Sequence, residues 1–232
     1  GKDRLLLAGH PHHLVRKSRD QQPVFLDDAD YTHCLGQIRE LSRDYELAIH
    51  AFCLLPEGLH ILATPMGDPE NLSKFMKALS CRTSLRRKNL HGANSVWEVR
   101  YRSSPVEPGQ WMLACMCYIE RLPVLRQLAS SAYHYHRSSY RMRLGKTHQY
   151  WLDDPEEYAR LGNTIEERAE AYRTYMSNGL DAKEEKMIDT AVKRCKLTGS
   201  IRFVKEVYRE YGVLGVNRGP GRPRKYRKKA DG

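Results

Sequence analysis

Histidine and cysteine side chains are candidate metal ligands in this chain. The chain has 10 histidines and 6 cysteines, but no two cysteines have Cys-x-x-Cys or zinc-ribbon spacing. His10, His12 and His13 form the densest histidine cluster. Neighbouring strand residues point to opposite faces, so His12 and His13 are not expected to share one ion. The cysteines are expected to be reduced thiols, most of them buried.

Basic residues recur at spacings that could follow the phosphates of a nucleic acid. Positions 82 and 86 are neighbours on a helix surface, and a stripe of cations there could contact phosphates. The alternative is a solvated helix face. These candidates lie along one predicted helix and the loop beyond it: Lys74, Lys77, Arg82, Arg86, Arg87 and Lys88. Arg100 and Arg102 on the last predicted strand are added to them.

A second basic stretch, residues 133–143, alternates aromatic rings with cations. Tyr133 and Tyr135 are followed by Arg137, Arg141 and Arg143. Such a mixture suits stacking on unpaired bases together with phosphate contacts. An aromatic patch that packs against the first domain is the alternative.

The C-terminal residues carry the most specific electrostatic signal. Between Arg218 and Lys229 there are seven cations and no acid. Gly221-Arg222-Pro223 resembles an AT-hook, in which the arginine enters the narrow minor groove of A·T-rich DNA. Arg224 and Lys225 are expected to bind DNA beside it. A generic polybasic tail is the alternative.

Hydrophobic periodicity and turn residues predict the elements that position these side chains. Asp28 is predicted to cap the first helix, and Pro56-Glu57-Gly58 to join two strands as a hairpin. The predicted strands are 13–16, 46–55, 59–64 and 99–103, with helices after Asp28 and from Pro69. This β-α-β-β-α-β order predicts an α+β, ferredoxin-like sandwich, with an antiparallel sheet and both helices on one face.

The remaining chain is predicted to be helical and then unstructured. After a helix around 110–120, helices are predicted at 165–178, 181–195 and 199–211. We therefore predict three parts: 1–146 as the ferredoxin-like domain, 147–215 as a helical C-terminal region, and 216–232 as a disordered basic tail.

Composition limits the function classes. The 232 residues carry 39 Lys and Arg against 28 Asp and Glu, a net charge of +11. Such an excess favours a polyanionic partner, most often a nucleic acid. No apolar run approaches the roughly 20 residues of a membrane-spanning helix, and no signal pattern begins the sequence. A cytoplasmic protein is expected.

Six blocks in the same order resemble the REP-associated tyrosine transposases, a family of bacterial single-tyrosine HUH transposases. The blocks are 11–15 with 22–31, the hairpin 51–62, 97–103, 118–124, 138–140 and 197–204, and the ending at 221–225 adds to them. The resemblance implies a ferredoxin-like fold and cleavage and rejoining of single-stranded DNA at hairpin-forming repeats. It also implies two histidines that hold a divalent metal, Mg²⁺ or Mn²⁺, and a nucleophilic tyrosine on the following helix.

This sequence departs from that pattern at the residues that would bind the metal and attack the DNA strand. Gly58 stands at the first motif histidine, which leaves His60 as the only motif imidazole. A lone imidazole binds Mg²⁺ or Mn²⁺ poorly. No tyrosine occurs between Tyr45 and Tyr101, and alignment with the family places Thr83 at the tyrosine position. Tyr101 is either a displaced nucleophile or a core residue.

Three hypotheses follow. The first, which we favour, is a nucleic-acid-binding protein derived from the transposase. It would bind hairpin or single-stranded DNA with A·T-rich flanks, in a bacterial cytoplasm and near the nucleoid, without cleaving the strand and without a metal cofactor. The second is an active transposase or single-strand endonuclease with displaced catalytic residues. The third is an RNA-binding regulator. A homodimer is possible for each, and a membrane partner is not expected.

Overall fold

The computed structural model describes residues 4–212 and begins with the elements of a ferredoxin-like sandwich. These are β1 (His12–Lys17), α1 (Asp28–Asp44), β2 (Leu47–Leu55), β3 (Gly58–Pro65), α2 (Asn71–His91) and β4 (Arg102–Pro105). The helices that follow are α3 (Gln110–Leu125), α4 (Tyr140–Arg143), α5 (Glu156–Ala159), α6 (Ile165–Asn178), α7 (Ala182–Lys193) and α8 (Ile201–Tyr211). Short 3₁₀ turns lie at Arg19–Gln21 and Ala132–His134.

The four strands form one antiparallel sheet in the order β2-β3-β1-β4. This is the strand order that the β-α-β-β-α-β arrangement produces, so the predicted fold class is confirmed. The tight hairpin between β2 and β3 pairs Leu55 with Gly58. In the centre of the sheet, residues 12–17 of β1 pair with residues 63–58 of β3.

Helices cover both faces of the sheet. On one face Leu14 and Ile61 pack against Ile38 of α1 and Leu79 of α2. On the other face Leu62 packs in a cluster that includes residues of α3, α6 and α7. Coverage on both sides explains why nearly every residue of β2 and β3 is buried, since strands covered on both faces have near-continuous apolar sequences.

A buried polar network connects the C-terminal helices to the cluster on the α3 side of the sheet. Arg143 and Glu120 are both wholly buried, with Arg143 Nε 3.6 Å from a Glu120 carboxylate oxygen. Tyr172 of α6 donates a hydrogen bond to the other Glu120 oxygen, and Arg143 donates to the His50 carbonyl of β2. Residues 147–212 thus pack directly on the first domain, and the division of the chain at 146 and 215 remains a prediction.

The predicted cap of α1 and the predicted bounds of the last strand are wrong. The cap of α1 is Asp27, whose carboxylate accepts a hydrogen bond from the Asp30 amide, and Asp28 is the first helical residue. The last strand was predicted at 99–103 but spans Arg102–Pro105. The chain bends before it, where Val99 is 90% exposed, because pairing with β1 is interrupted between the isolated Ser18–Trp97 bridge and β4.

Other expectations are met within the described residues. Cys34, Cys53, Cys115 and Cys117 are buried free thiols. Tyr101 is a core residue whose hydroxyl lies 2.6 Å from Ser73 Oγ on α2. None of the described helices is both long enough and apolar enough to cross a bilayer.

Candidate active site and nucleic-acid interface

A pair of histidines lies at the centre of the sheet. His60 of β3 is opposite Val15 of β1, and His13 is opposite Leu62, so the two imidazoles share the face covered by α3. His13 Nε2 and His60 Nδ1 are 2.9 Å apart, and one donates a hydrogen bond to the other. His60 remains the only imidazole of the hairpin motif, but His13 of the neighbouring strand lies beside it on the same face. Sequence reasoning missed His13 because a cross-strand partner depends on register.

Both imidazoles are buried, and burial favours their neutral forms. Burial lowers the pKa of His13 to about 3. Burial, with the charges of neighbouring His13, Arg126 and Lys17, lowers the pKa of His60 well below its usual value. Removal from water disfavours the charged form of an imidazole. The Nδ1 atom of His13 is buried and has no hydrogen-bond partner.

This pair does not fit Mg²⁺ or Mn²⁺. These ions prefer several oxygen ligands and keep bound water. Here one nitrogen of each ring is engaged in the His13–His60 hydrogen bond, and no described carboxylate hydrogen-bonds to either ring. Among residues 4–212 the only group with metal-ligand spacing is Asp27, Asp30 and His91. That group is occupied by protein contacts, because Asp30 already accepts from Arg86 and from the Leu26 amide, each at 2.9 Å.

Gly58 lies close against the backbone of β1. A Cβ atom built on Gly58 would lie 2.3 Å from the Arg16 carbonyl oxygen and 3.1 Å from Lys17 Cα. Any side chain here would collide with the backbone of β1. The glycine is therefore required by the strand packing, and a histidine at this position would need β1 to move.

The tyrosine that faces the histidines is Tyr118 on α3. Its ring centroid is 5.8 Å from that of His13 and 6.4 Å from that of His60. The Tyr118 hydroxyl donates to Asp189 Oδ1 of α7 at 3.1 Å. Burial, with the Asp189 charge, raises the pKa of the Tyr118 phenol. Sequence reasoning missed this role, although Tyr118 begins the family-like block 118–124 and was visible there.

Thr83 does not take part in this site. It lies on α2, which covers the opposite face of the sheet from His60. Its hydroxyl donates to the Leu79 and Ser80 carbonyls and accepts from Trp97 Nε1 at 3.1 Å. The alignment of Thr83 with the family's tyrosine stays a prediction, and in this structure the sheet separates the Thr83 and His60 side chains.

Access to the histidine face is closed by the C-terminal region. Helix α7 packs against α3, β1 and β4, and Ile188 of α7 belongs to the same hydrophobic cluster as Leu62 and Met116. The histidines and Tyr118 thus lie in a core. A scissile phosphate could reach them only if α7 moved.

Half of the predicted cationic stripe on α2 is engaged in contacts that hold the helix. Arg82 contacts Gln37 and Glu40 of α1. Arg86 pairs with buried Asp30 at 2.9 Å. Arg87 donates to the carbonyls of Pro23, Val24 and Asn94. These three arginines therefore contribute to helix packing and loop conformation, and phosphate contacts by the stripe remain a prediction.

The lysines of α2 remain available. Lys74, Lys77 and Lys88 are exposed, and their spacing places them on one side of the helix. Arg100 is exposed in the loop before β4. Arg102 lies 3.6 Å from Glu98.

The aromatic and basic stretch is largely paired within itself. Arg137 donates to Asp28 at 2.7 Å and lies over the Tyr31 ring at 4.3 Å. Arg141 donates to the Tyr133 carbonyl at 2.8 Å and lies over the Tyr133 ring. The inclusion of Arg143 among surface cations is wrong, because it is wholly buried beside Glu120. The predicted tail residues Arg222, Arg224 and Lys225 lie outside the described residues.

Comparison with known proteins identifies the fold. No protein-family model matches the sequence, and no curated protein matches it significantly. Among solved structures the chain is similar to a REP-associated tyrosine transposase bound to a REP hairpin, with 18% identity and a TM-score of 0.55. That match covers 66% of this chain and 92% of the transposase. A putative transposase from Deinococcus radiodurans R1 has 17% identity and a TM-score of 0.36, over 55% and 95% of the two chains. The chain therefore shares the fold of a REP-associated tyrosine transposase.

Proposed function

We propose that this chain is a DNA-binding protein derived from a REP-associated tyrosine transposase, and that it binds hairpin or single-stranded DNA without cleaving it. One observation carries the second half of the proposal. The place where such a fold could cut a strand is filled: His13, His60 and Tyr118 are core residues under α3 and α7. Neutral, buried imidazoles without oxygen ligands beside them are poorly suited to polarise a phosphate.

The fold and the charge support the first half of the proposal. The transposase of the same fold was solved with a REP hairpin, and this chain carries a net charge of +11. Exposed Lys74, Lys77 and Lys88 provide phosphate contacts on the described surface. The tail from residue 216 is proposed to add A·T-rich minor-groove contacts through Arg222, with Arg224 and Lys225 beside it. Its setting is proposed to be the bacterial cytoplasm, on nucleoid DNA.

A second candidate function is favoured by one specific observation. The Tyr118 ring centroid lies 5.8 Å from that of His13 and 6.4 Å from that of His60. A tyrosine and two imidazoles therefore lie next to one another. Displacement of α7 would release the Tyr118 hydroxyl from Asp189. An active DNA strand transferase that opens in this way is the alternative.

One experiment separates the two candidates. The full chain is incubated with a labelled hairpin that carries a single-stranded extension, with Mg²⁺ or Mn²⁺. We expect a retarded complex on a native gel, and an intact strand with no covalent adduct on a denaturing gel. Tyr118→Phe is the matched control. An adduct formed by the wild type and lost in Tyr118→Phe would establish the alternative, and absence of any complex would refute DNA binding.

The contribution of the tail is measured by salt dependence. Each phosphate contact contributes close to one unit to the slope of log K against log salt concentration. A chain ending at residue 215 is expected to bind A·T-rich hairpins more weakly and with a shallower slope. An unchanged slope would exclude the tail from the interface. The same titration with RNA hairpins tests the RNA-binding hypothesis, and the homodimer remains a prediction for sedimentation to test.

A further inference from the structure

A polar cleft opens at the turn end of the β2–β3 hairpin, next to Gly58. Its volume is about 540 Å³. Its charged and hydroxyl-bearing walls are formed by Lys17, Ser18, Asp20, Glu57, Glu98, Arg102 and Arg126. Pockets of roughly 300–1,000 Å³ take small ligands, so one nucleotide unit fits in this cleft whereas a duplex does not.

Three cations and three carboxylates line the cleft, and two of each are joined in ion pairs. Arg126 pairs with Glu57, and Arg102 lies 3.6 Å from Glu98. Lys17 is half-buried, and within residues 4–212 it forms no ion pair. Burial lowers the pKa of Lys17, and the charges of Arg102 and Arg126 lower it further. A half-buried cation repelled by two others is stabilised when an anion enters.

A buried hydroxyl in the same wall lacks a partner. Ser18 lines the cleft and is 5% exposed. Its backbone amide donates to the Glu57 carbonyl, but its Oγ has no hydrogen-bond partner. Buried hydroxyls in native proteins are normally satisfied, and an unsatisfied one calls for a ligand or a functional explanation. Rotation about the Cα–Cβ bond would turn this hydroxyl toward an acceptor in the cleft.

We propose that this cleft binds one phosphodiester of a DNA single strand, with Lys17 supplying the charge and Ser18 the hydrogen bond. Arg102 and Arg126 flank the phosphate, while Glu57 and Glu98 keep both guanidinium groups in position before it arrives. The proposal rests on the proposed DNA-binding function and assigns to it a place for the unpaired strand. The exposed lysines of α2 would then bind other phosphates.

The test compares three variants of the full chain. Lys17→Met removes the charge in the cleft, and Ser18→Ala removes the unpartnered hydroxyl. Lys205→Met removes an exposed lysine from α8 as the charge-matched control. Affinity is measured by fluorescence anisotropy with a short labelled oligothymidylate, with an oligouridylate of the same length and with a blunt duplex. Thermal midpoints are measured on the same samples.

Because a hydrogen bond to a charged group is worth about 10- to 100-fold in affinity, Lys17→Met and Ser18→Ala are each expected to weaken oligothymidylate binding by at least about tenfold. Ser18→Ala is expected to leave the thermal midpoint unchanged or higher, since it removes an unsatisfied buried group. Duplex binding should change little.

The outcomes distinguish this proposal from the function on which it rests. If the wild type binds the single strand and both cleft variants match Lys205→Met, the cleft is refuted while DNA binding stands. If the wild type binds no nucleic acid, both are refuted. Equal weakening for the oligouridylate would assign the phosphate site to either nucleic acid, and weakening for the oligouridylate alone would refute the assignment to DNA. Ser18→Ala keeps the test decisive even if Lys17→Met fails to fold.

Discussion

The backbone around Gly58 leaves no room for a second histidine in the hairpin. Adding a single methyl group, in Gly58→Ala, tests this conclusion. In Gly58→Ala the new Cβ would lie 2.3 Å from the Arg16 carbonyl oxygen, whereas real Cβ atoms keep at least 3.0 Å from such a neighbour. The contact atom belongs to the backbone of β1, a central strand paired on both sides. Relief therefore requires β1 or the hairpin to shift by about 0.7 Å, through a core where both strands are buried.

Overpacking of this kind costs about 1–3 kcal/mol, so the free energy of unfolding of Gly58→Ala should fall by that amount. Urea titration followed by circular dichroism measures it. Gly36→Ala is the matched control, because Gly36 lies in α1 with nothing within 4 Å of its Cβ position. That variant should be more stable than the wild type by about 0.5–1 kcal/mol. A Gly58→Ala protein as stable as the wild type would refute the argument that this glycine is required by packing.

Three further predictions concern the cores on the two faces of the sheet. The unfolded chain binds a proton on His13 below about pH 6.5, whereas the native chain does so only near pH 3. The free energy of unfolding should therefore fall by about 2 kcal/mol per such histidine between pH 7 and pH 5. Urea titrations at the two pH values should show a smaller fall for His13→Gln than for the wild type. Arg143→Met should lower the free energy of unfolding by about 3–5 kcal/mol, because it leaves the Glu120 carboxylate buried without its ion-pair partner. Arg160→Met breaks an exposed ion pair and should lower it by under about 1 kcal/mol. Equal thermal midpoints for these two variants would contradict the prediction. Thr83→Val should cost about 1 kcal/mol through the lost acceptor for the Trp97 indole, with DNA binding unchanged; a loss of DNA binding would show that Thr83 acts in the interface.

The sequence was sufficient to predict the ferredoxin-like core because its signals are local. Turn residues at 56–58 and apolar periodicity in α1 and α2 specify each element, and the order of the elements specifies the sheet. The site was predicted incompletely because it depends on register. His13 and His60 are 47 residues apart and meet only through the pairing of β1 with β3. The position of Arg86 along the helix is the one expected of a surface cation. Its role in packing is visible only in three dimensions, where buried Asp30 lies beside it.

A glycine at position 58 and the closed histidine face are two separate physical obstacles to strand cleavage at this site. A metal-binding histidine pair in the hairpin would require a side chain at Gly58, where β1 leaves no room. Attack by Tyr118 would require an open path to its hydroxyl, which donates a hydrogen bond to Asp189 of α7. A tyrosine at Thr83 would lie across the sheet from His60. The double variant Gly58→His, Thr83→Tyr is therefore expected to be less stable than the wild type and unable to nick DNA. Metal-dependent nicking by this variant, measured on a denaturing gel, would show that the sheet does not separate the two positions, and would contradict the placement of the site under α3.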